Sequence, residues 1–570
     1  MSDTVILAGD RWLIGPRRFD DPVRVITAVT PAEVRSAIEA VEAASRQGNW
    51  VVGFVSYDAA PGFDPRLGVP LGDHSGEMPL VRFGVYDQAD PVDLAPAAAR
   101  LGDWSAGMTE AEHARRVESI RGSIIAGDTY QVNLTFPMEA ILSGDSDSLF
   151  ATMLRAQPHS FGAFIDLGPR QIISVSPELF LRRDHQAVTT MPMKGTAPRG
   201  RSTVEDLQLR DHLVLSEKER AGNLMIVDMV RNDLGRVART GTVKVPELLQ
   251  PERHPTIWQL TSTIEAELEP GTGLVDLFSA VFPCGSVTGA PKVSTMGIIS
   301  KLEVSARGVY CGAIGYVAPG GTSAEFAVSI RTGVIENGRF TYHVGGGITY
   351  DSLAGSEYEE CLWKALVVTS HQEKPDLVET MRYVPGEGIA LLPRHIERLA
   401  GSAAYWGIEF DPGLVGEALS AVEGAGELKV RLVLSGDGGV ELKSEPMPVW
   451  DEPVRVTISK VRVDHANPLW FHKTADRSRY PDSGDDSEAL MVNLDGEVTE
   501  TNRSNVMAHL DGMWVTPPLS SGLLPGIARD IALSQRGVVE RVLTIDDLRR
   551  SDELAVTNAV RGWRKATLIE

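Results

Sequence analysis

The sequence predicts an α+β fold arranged as two domains. Three observations carry this. The chain has 570 residues, too many for one hydrophobic core. Strand-like runs and helical patterns alternate irregularly, without the regular rhythm of a doubly wound sheet. The chain also changes character at HQEKPD, residues 371–376, where Pro375 fits a linker.

The elements follow in order. WVVGFVSYDA (50–59), FGAFIDL (161–167), QIISVSP (171–177) and CGAIGYVAP (311–319) read as strands. RRVESIRGSIIAG (115–127) and EKERAGNLMIVDMVRNDLG (217–235) read as helices, as does EYEECLWKALVVTS (357–370). In the last of these, Leu362, Ala365 and Leu366 alternate with charge at helical spacing. Beyond the linker, LVETMRYVPGEGIALLPRHIERLAG reads as strand, glycine turn, short strand and helix. The expected domains are 1–370 and 377–570, joined by 371–376.

Composition narrows the function classes. Hydrophobic content of 43% and charged content of 23% are ordinary for a soluble globular protein. A net charge of −22 argues against a nucleic-acid partner, though local arginines can still bind a small anion. The three cysteines, Cys284, Cys311 and Cys361, have no C-x-x-C spacing, which suggests a reducing compartment and no zinc site. No basic-then-apolar leader opens the sequence and no apolar run has membrane-spanning length. A cytoplasmic location, with no membrane partner, is therefore expected.

Several motifs of the first domain carry chemistry. In MPMKGTAPRG (191–200), Lys194 is either a solvated lysine or a nucleophile held in a pocket. Gly345 to Gly347 form either a simple turn or a backbone cradle for a carboxylate. Arg331 is either a surface charge or a bidentate carboxylate grip. Glu357 and Glu360 share a helix face, which is either solvated or holds a hard cation.

With YQVNLTFP, SPELFL, FPCGSVTGAPK, AVSIRTG and HVGGGITYDS, these motifs occur in an order that resembles the chorismate-utilising enzymes over roughly residues 40–370. That family comprises anthranilate synthase large subunits, aminodeoxychorismate synthase component I, and isochorismate or salicylate synthases. The resemblance implies a layered α+β fold, Mg²⁺ and bound chorismate. It implies that Tyr310 and Arg331 contact the substrate carboxylates, that Gly345 and Gly347 form the cradle, and that Ser286 touches substrate. Glu357 and Glu360 would face the metal, and Glu178 would act as general acid or base at the leaving hydroxyl. The K-G-T lysine resembles that of aminodeoxychorismate synthase. It implies that Lys194 attacks the ring and displaces the 4-hydroxyl, and that ammonia then displaces the lysine. Gln259 stands where anthranilate synthases carry a histidine. A glutamine cannot be a base at neutral pH, although it also reads as a core hydrogen-bonding residue.

Gly222 departs from the pattern, replacing a glutamate that is normally a metal ligand. Either Glu219, one turn earlier, takes over, or this domain binds without catalysing. No cysteine has the neighbours of a glutamine amidotransferase nucleophile. Ammonia is expected from solution or from a separate amidotransferase subunit.

The second domain has its own lysine, Lys473, in PLWFHKTADRSRY. LDGEVTETNRSNV, LSSGLLPGIARD and VTNAVRG follow, an order that suggests an anion site at a helix N-terminus, at the N–H groups of Ile527 and Ala528. The set resembles the fold-type IV pyridoxal-phosphate enzymes over about 377–570: branched-chain and D-amino-acid aminotransferases and aminodeoxychorismate lyase. The resemblance implies that Lys473 binds the cofactor covalently, that Glu500 pairs with its pyridine nitrogen, and that Arg398 and Asn558 help hold its phosphate. Thr380 and Arg382 would face the substrate, and a homodimer follows by analogy.

The two resemblances together imply a bifunctional enzyme that makes 4-aminobenzoate from chorismate. The competing readings are an anthranilate-type synthase fused to an aminotransferase, and a non-catalytic chorismate-binding module joined to an active lyase.

Overall fold

A computed structural model describes residues 3–70, 78–94, 99–303, 305–366, 373–449, 452–484 and 487–569. Residues 367–372 lie outside the described residues, and with them the end of the predicted helix 357–370 and the start of the predicted linker. No described helix is long and apolar enough to cross a membrane.

The chain divides into two compact units. The first holds Met1–Pro198 and Arg210–Gln372, the second Arg199–Leu209 and Glu373–Glu570. The short segment 199–209 therefore packs with the second unit, although the sequence reading assigned it to the first domain. Its packing has a plain cause. Arg199 pairs with Asp206 at 2.7 Å and lies 4.6 Å over the Tyr405 ring, while Tyr405 donates to the Gly200 carbonyl at 2.7 Å.

Two antiparallel sheets, of eleven and ten strands among the described residues, form the first unit. Period-two alternation builds its layers. In Trp50–Val55 of the ten-stranded sheet, Val51 and Val55 join a core with the helix Pro31–Arg46, whereas Val52 and Phe54 pack with Val5, Phe161 and Ile165 of the eleven-stranded sheet. In Phe161–Asp166, Phe164 turns the other way, toward a core with Leu149 and Cys361 of two covering helices. The order is thus helices, sheet, sheet, helices, the α+β layering expected. The predicted helix 217–235 is Glu217–Gly235, with Ser216 capping the Glu219 N–H.

One strand matters most for the site. In Arg339–Ile348, Phe340, Tyr342 and Val344 face the outer helical core. Thr341, His343, Gly345 and Gly347 consequently face the interior between the sheets.

The second unit carries a four-stranded antiparallel sheet and an eight-stranded mixed sheet among the described residues. Leu377–Val384 with its glycine turn and the helix Leu392–Trp406 match the predicted order. Leu399 and Ala403 of that helix pack on Leu377, Met381 and Val430.

Candidate active sites

Lys194 lies on the strand Met193–Pro198, which pairs with Ile257–Glu267. The pairing slips between Met193 and Thr196, and Gly195 sits at φ +98°, where a side chain would be strained. This bulge re-aims Lys194 between the sheets. Asn223 of the helix Glu217–Gly235 fixes the strand, donating to the Lys194 carbonyl at 3.0 Å and accepting from Ser262 at 2.7 Å. Across the gap, a Cβ on Gly347 would lie 2.2 Å from Lys194 Nζ. Only glycine leaves room for the amine there. The same position would lie 2.9 Å from Gln131 Nε2, so the Gln131 amide also borders this space. Gln131 is fully buried, and neither of its amide atoms has a hydrogen-bond partner. It lay in a quoted motif, yet its lack of charge gave it no role in the sequence reading.

Burial lowers the pKa of Lys194, and the Lys364 charge adds to the drop, while Glu360, Glu219 and Glu357 oppose it. Lys364 is a second residue the sequence reading missed. Its ammonium pairs with Glu360 at 2.8 Å and donates to the Gly345 carbonyl at 2.7 Å.

Glu178 is 2% exposed and accepts from Ser286 Oγ at 2.6 Å and from Cys284 Sγ at 3.7 Å. Burial raises its pKa to about 7, against the hydrogen bonds from Ser286, Met193 and Cys284 and the Lys194 charge. Near neutral pH a substantial fraction of it thus carries a proton to give. Ser286, expected at the substrate, donates its hydroxyl to Glu178 and so positions the acid.

Tyr310 stacks on His343 at 5.2 Å, and both line a cavity of ≈180 Å³ with Arg307, Thr332 and Thr341. His343 shares its strand face with Gly345 and Gly347, so Tyr310 belongs to the same interior face as Lys194. Arg331, at φ +50°, donates to Gln157 at 2.5 Å. Burial lowers its pKa. Its hydrogen bond goes to a neutral amide, which leaves its charge uncompensated there.

The expected metal residues border the Lys194 pocket without converging. A Cβ on Gly195 would meet Glu219 Oε2 at 3.3 Å, and one on Gly346 would meet Glu357 Oε2 at 3.1 Å. Glu360 is held by Lys364, and Glu357 accepts from Ser352 at 2.7 Å. Among the described residues no three acidic, histidine or cysteine side chains gather closely enough to hold an ion. The arrangement does not fit Mg²⁺ as it stands, because lysine ammonium groups supply the counter-charge. A Cβ on Gly222 would meet only Lys194 Cγ, at 3.8 Å, so the missing glutamate leaves open space beside the amine.

The second unit builds its site around Lys473. Burial first, then the Arg398 charge, lowers this amine to about 8, with Glu379 and Glu500 opposing. Burial raises Glu500 to about 8. Asn505 donates to Glu500 at 3.1 Å and to the Leu524 carbonyl at 3.0 Å, tying the acid to the loop before the helix Ile527–Gln535. A Cβ on Gly526 would lie 1.9 Å from Asn505 Oδ1, so only glycine fits there. No side chain caps this helix, which leaves the N–H groups of Ile527 and Ala528 for an anion. A buried amine, a buried acid and an uncapped helix start fit pyridoxal phosphate, with its aldehyde, pyridine nitrogen and phosphate.

Other expected residues are placed differently. Arg398 grips Glu379 at 2.8 and 2.7 Å, and its third nitrogen reaches the Pro525 carbonyl at 3.5 Å, beside the anion loop. Asn558 spends its polar atoms on its own turn. Its amide donates to Ser504 at 3.0 Å and its oxygen accepts from the N–H groups of Val560 and Arg561. It shapes the turn and leaves no side-chain donor for a phosphate. Arg382 forms an ion pair with Glu427, both about 40% exposed. Thr380 shares that strand face, opposite the one that carries Glu379.

Residues 16–370 match the model of the chorismate binding enzymes. The chain belongs to the chorismate binding enzyme family. Residues 376–569 match the class IV amino-transferases, whose cofactor is pyridoxal phosphate. The chain is 41% identical over 272 residues to aminodeoxychorismate synthase component 1 of Escherichia coli, covering 48% of this chain and 60% of that protein. It is 38% identical over 271 residues to anthranilate synthase component 1 of Streptomyces coelicolor, covering 47% and 53%. The chain thus spans less than two-thirds of the length of either relative. Among solved structures, anthranilate synthase component I from Streptococcus pneumoniae matches with a TM-score of 0.53 and 26% identity, over 65% of this chain and 92% of that one. The layered fold of the first unit is therefore that of the chorismate binding enzymes.

Proposed function

We propose that the chain makes 4-aminobenzoate from chorismate in two steps, with residues 1–370 and 377–570 as the two catalytic domains. The observation that carries this reading is Lys194, a buried amine with lowered pKa beside a protonatable Glu178. A neutral amine is a nucleophile, and burial shifts Lys194 toward that form. Lys194 attacks the chorismate ring through Nζ as the C–O bond to the 4-hydroxyl breaks. Glu178 gives its proton to the departing oxygen, which leaves as water. Ammonia then forms its own bond to the ring and expels the lysine amine, giving 4-amino-4-deoxychorismate. Tyr310 and Arg331 meet the substrate carboxylates, and Gly345 and Gly347 admit it to the strand face. The Arg331 charge, bonded only to an amide, suits a carboxylate.

Relatives named as anthranilate synthase and as aminodeoxychorismate synthase match at similar identity, so overall similarity does not choose between them. Lys194 and Gln259 favour amination that stops at aminodeoxychorismate.

The second domain takes that product. Pyridoxal phosphate, when bound, supplies the electron sink for removing a ring proton and expelling pyruvate. Lys473 holds it and moves the proton, Glu500 faces its ring nitrogen, and the Ile527 and Ala528 N–H groups meet its phosphate. Covalent linkage raises the local concentration of the second site near the first product. Ammonia comes from solution or from a separate glutamine amidotransferase, the protein works in the cytoplasm, and a homodimer forms through the second domain. Mg²⁺ enters only as a ligand of Glu219, Glu357 and Glu360 after they rearrange. Calorimetric titration with Mg²⁺ tests that, and binding unchanged by Glu360→Gln would remove it.

The deciding experiment incubates the protein with chorismate, ammonium, Mg²⁺ and pyridoxal phosphate and identifies the products by mass spectrometry. 4-Aminobenzoate and pyruvate are expected. Anthranilate instead would overturn the reading.

A further inference from the structure

Lys473 and Glu500 account for cofactor binding but not for the choice of substrate. Two cations close to them have no assigned task. Arg477, four residues after Lys473, lies 4.0 Å over the Tyr480 ring and donates to the carbonyl of Asn502, two residues beyond Glu500. Arg479 lies 5.0 Å over the same ring and 5.4 Å over Trp470. It donates to the Leu469 carbonyl and to Thr474 Oγ1, each at 2.8 Å, and its buried Nε has no hydrogen-bond partner. Their hydrogen bonds go to carbonyls and a hydroxyl, and among the described residues neither joins an ion pair. Three other arginines of this unit contrast with them: Arg398 pairs with Glu379, Arg564 with Glu488 and Arg529 with Glu540. In a chain of net charge −22, two uncompensated guanidiniums beside a buried amine and acid point to an anionic visitor.

We propose that Arg477 and Arg479 form a carboxylate clamp at the Lys473 site, selecting an amine whose carboxylates lie several bonds from the nitrogen. This rests on the lyase reading above and deepens it. In 4-amino-4-deoxychorismate the amine and both carboxylates hang from different ring positions. With the amine delivered to the Lys473 position, a carboxylate must be met elsewhere in the pocket. A simple α-amino acid, with amine and carboxylate on one carbon, gains little from such a clamp. Both arginines lie within electrostatic reach of Glu500, and Arg477 also of Lys473. The rings of Tyr480 and Trp470 hold the planar groups in place.

The test uses the whole holoprotein and follows pyruvate release from supplied 4-amino-4-deoxychorismate. Arg477→Gln and Arg479→Gln are each expected to raise KM about ten- to a hundredfold, the cost of one charge-assisted contact, with kcat within about threefold. Cofactor absorbance and affinity should stay as in the wild type, which also reports that the variants fold. Arg477→Lys keeps the charge and should recover part of the loss. An unchanged KM with lowered kcat or weakened cofactor binding would overturn the clamp, because the arginines would then act through Glu500. A wild-type protein that releases no pyruvate would sink the lyase reading and this assignment with it.

Discussion

The two lysines ask for the same thing in opposite surroundings. Lys194 and Lys473 are both buried amines with lowered pKa, yet three glutamates and one cation, Lys364, act on the first, whereas two arginines and two glutamates act on the second. At Lys473 burial and the Arg398 and Arg477 charges favour the neutral amine, and the two arginines offset the opposing Glu379 and Glu500. At Lys194 the acidic neighbours work against it, and burial with the Lys364 charge must outweigh them. The difference follows from the partners each site must accept. A site that holds a phosphate is cationic already. On the proposed function the Lys194 site takes a dicarboxylate, and it carries both signs, with Lys364 beside the glutamates. Reactivity at Lys194 is therefore the more delicate balance.

Exchanging the two lysines for alanine breaks the comparison most severely. Lys194→Ala should lower amination on the order of 10⁴-fold, because Lys364 is held by Glu360 and Gly345, and Ser286 and Cys284 by Glu178. Cleavage of supplied aminodeoxychorismate should continue. Lys473→Ala should do the reverse, and aminodeoxychorismate should accumulate from chorismate. Chromatography of the products reads both, and a variant that lost both activities would show that the sites are not independent.

The acid beside Lys194 comes next. Glu178→Gln removes the proton donor and should slow amination by about 10²- to 10⁴-fold. The sign of the pH dependence is fixed by the raised pKa. Glu178 is protonated below about 7 and loses its proton as pH rises through that value. Amination should therefore fall about tenfold per pH unit well above it, in single-turnover measurements. A rate that kept rising through pH 9 would remove Glu178 from the acid role.

Lys364 sharpens the contrast between acidic and basic surroundings. Lys364→Gln takes away the cation that favours neutral Lys194 and releases Glu360, and both changes raise the Lys194 pKa. Amination at neutral pH should drop about tenfold, with the loss recovered at higher pH until the Glu178 limb takes over. The equivalent change at Lys473, Arg398→Gln, also frees Glu379 and loosens the anion loop at Pro525. Its effect should appear in cofactor affinity as well as in the pH profile.

Much of both sites was legible in the sequence because their chemistry uses residues that stand out. Lys194 lies against Gly347 and acts on Glu178, and Asn505 ties Glu500 to the loop before the helix Ile527–Gln535. The helix Glu217–Gly235 matches its predicted span because a serine cap and a periodic apolar face agree on it. What escaped the sequence was pairing. Gln131 and Lys364 have no local signature that separates them from core amide and surface charge. Only the strand register brings Gln131 to Gly347, and only the helix docking brings Lys364 to Gly345. The partners of Arg382 and Asn558 were hidden for the same reason. Alternation along a strand gives a face but not its neighbours, and Glu427 and the Val560–Arg561 turn claim these side chains. Segment 199–209 packs with the second unit through Tyr405, a contact between residues far apart in the chain.

The smallest effect tests whether the acidic side of the Lys194 site is complete. Gly222 faces the Lys194 side chain, and a Cβ placed there meets nothing nearer than the Lys194 Cγ at 3.8 Å. Gly222→Glu should stabilise the helix by roughly 0.5–1 kcal/mol, since glycine is a poor helix former in mid-helix. A shift in the urea midpoint reads this. Electrostatics predicts two opposed consequences. A fourth carboxylate raises the Lys194 pKa and lowers the metal-free rate, while its charge strengthens Mg²⁺ binding, by about tenfold for one added ligand. At saturating Mg²⁺ the rate should change by less than about threefold, because Glu219 already supplies a carboxylate one turn away. A large gain in rate, with Mg²⁺ binding appearing only in the variant, would mean that the natural glycine leaves the first domain impaired. The fused lyase would then be the working half of the chain.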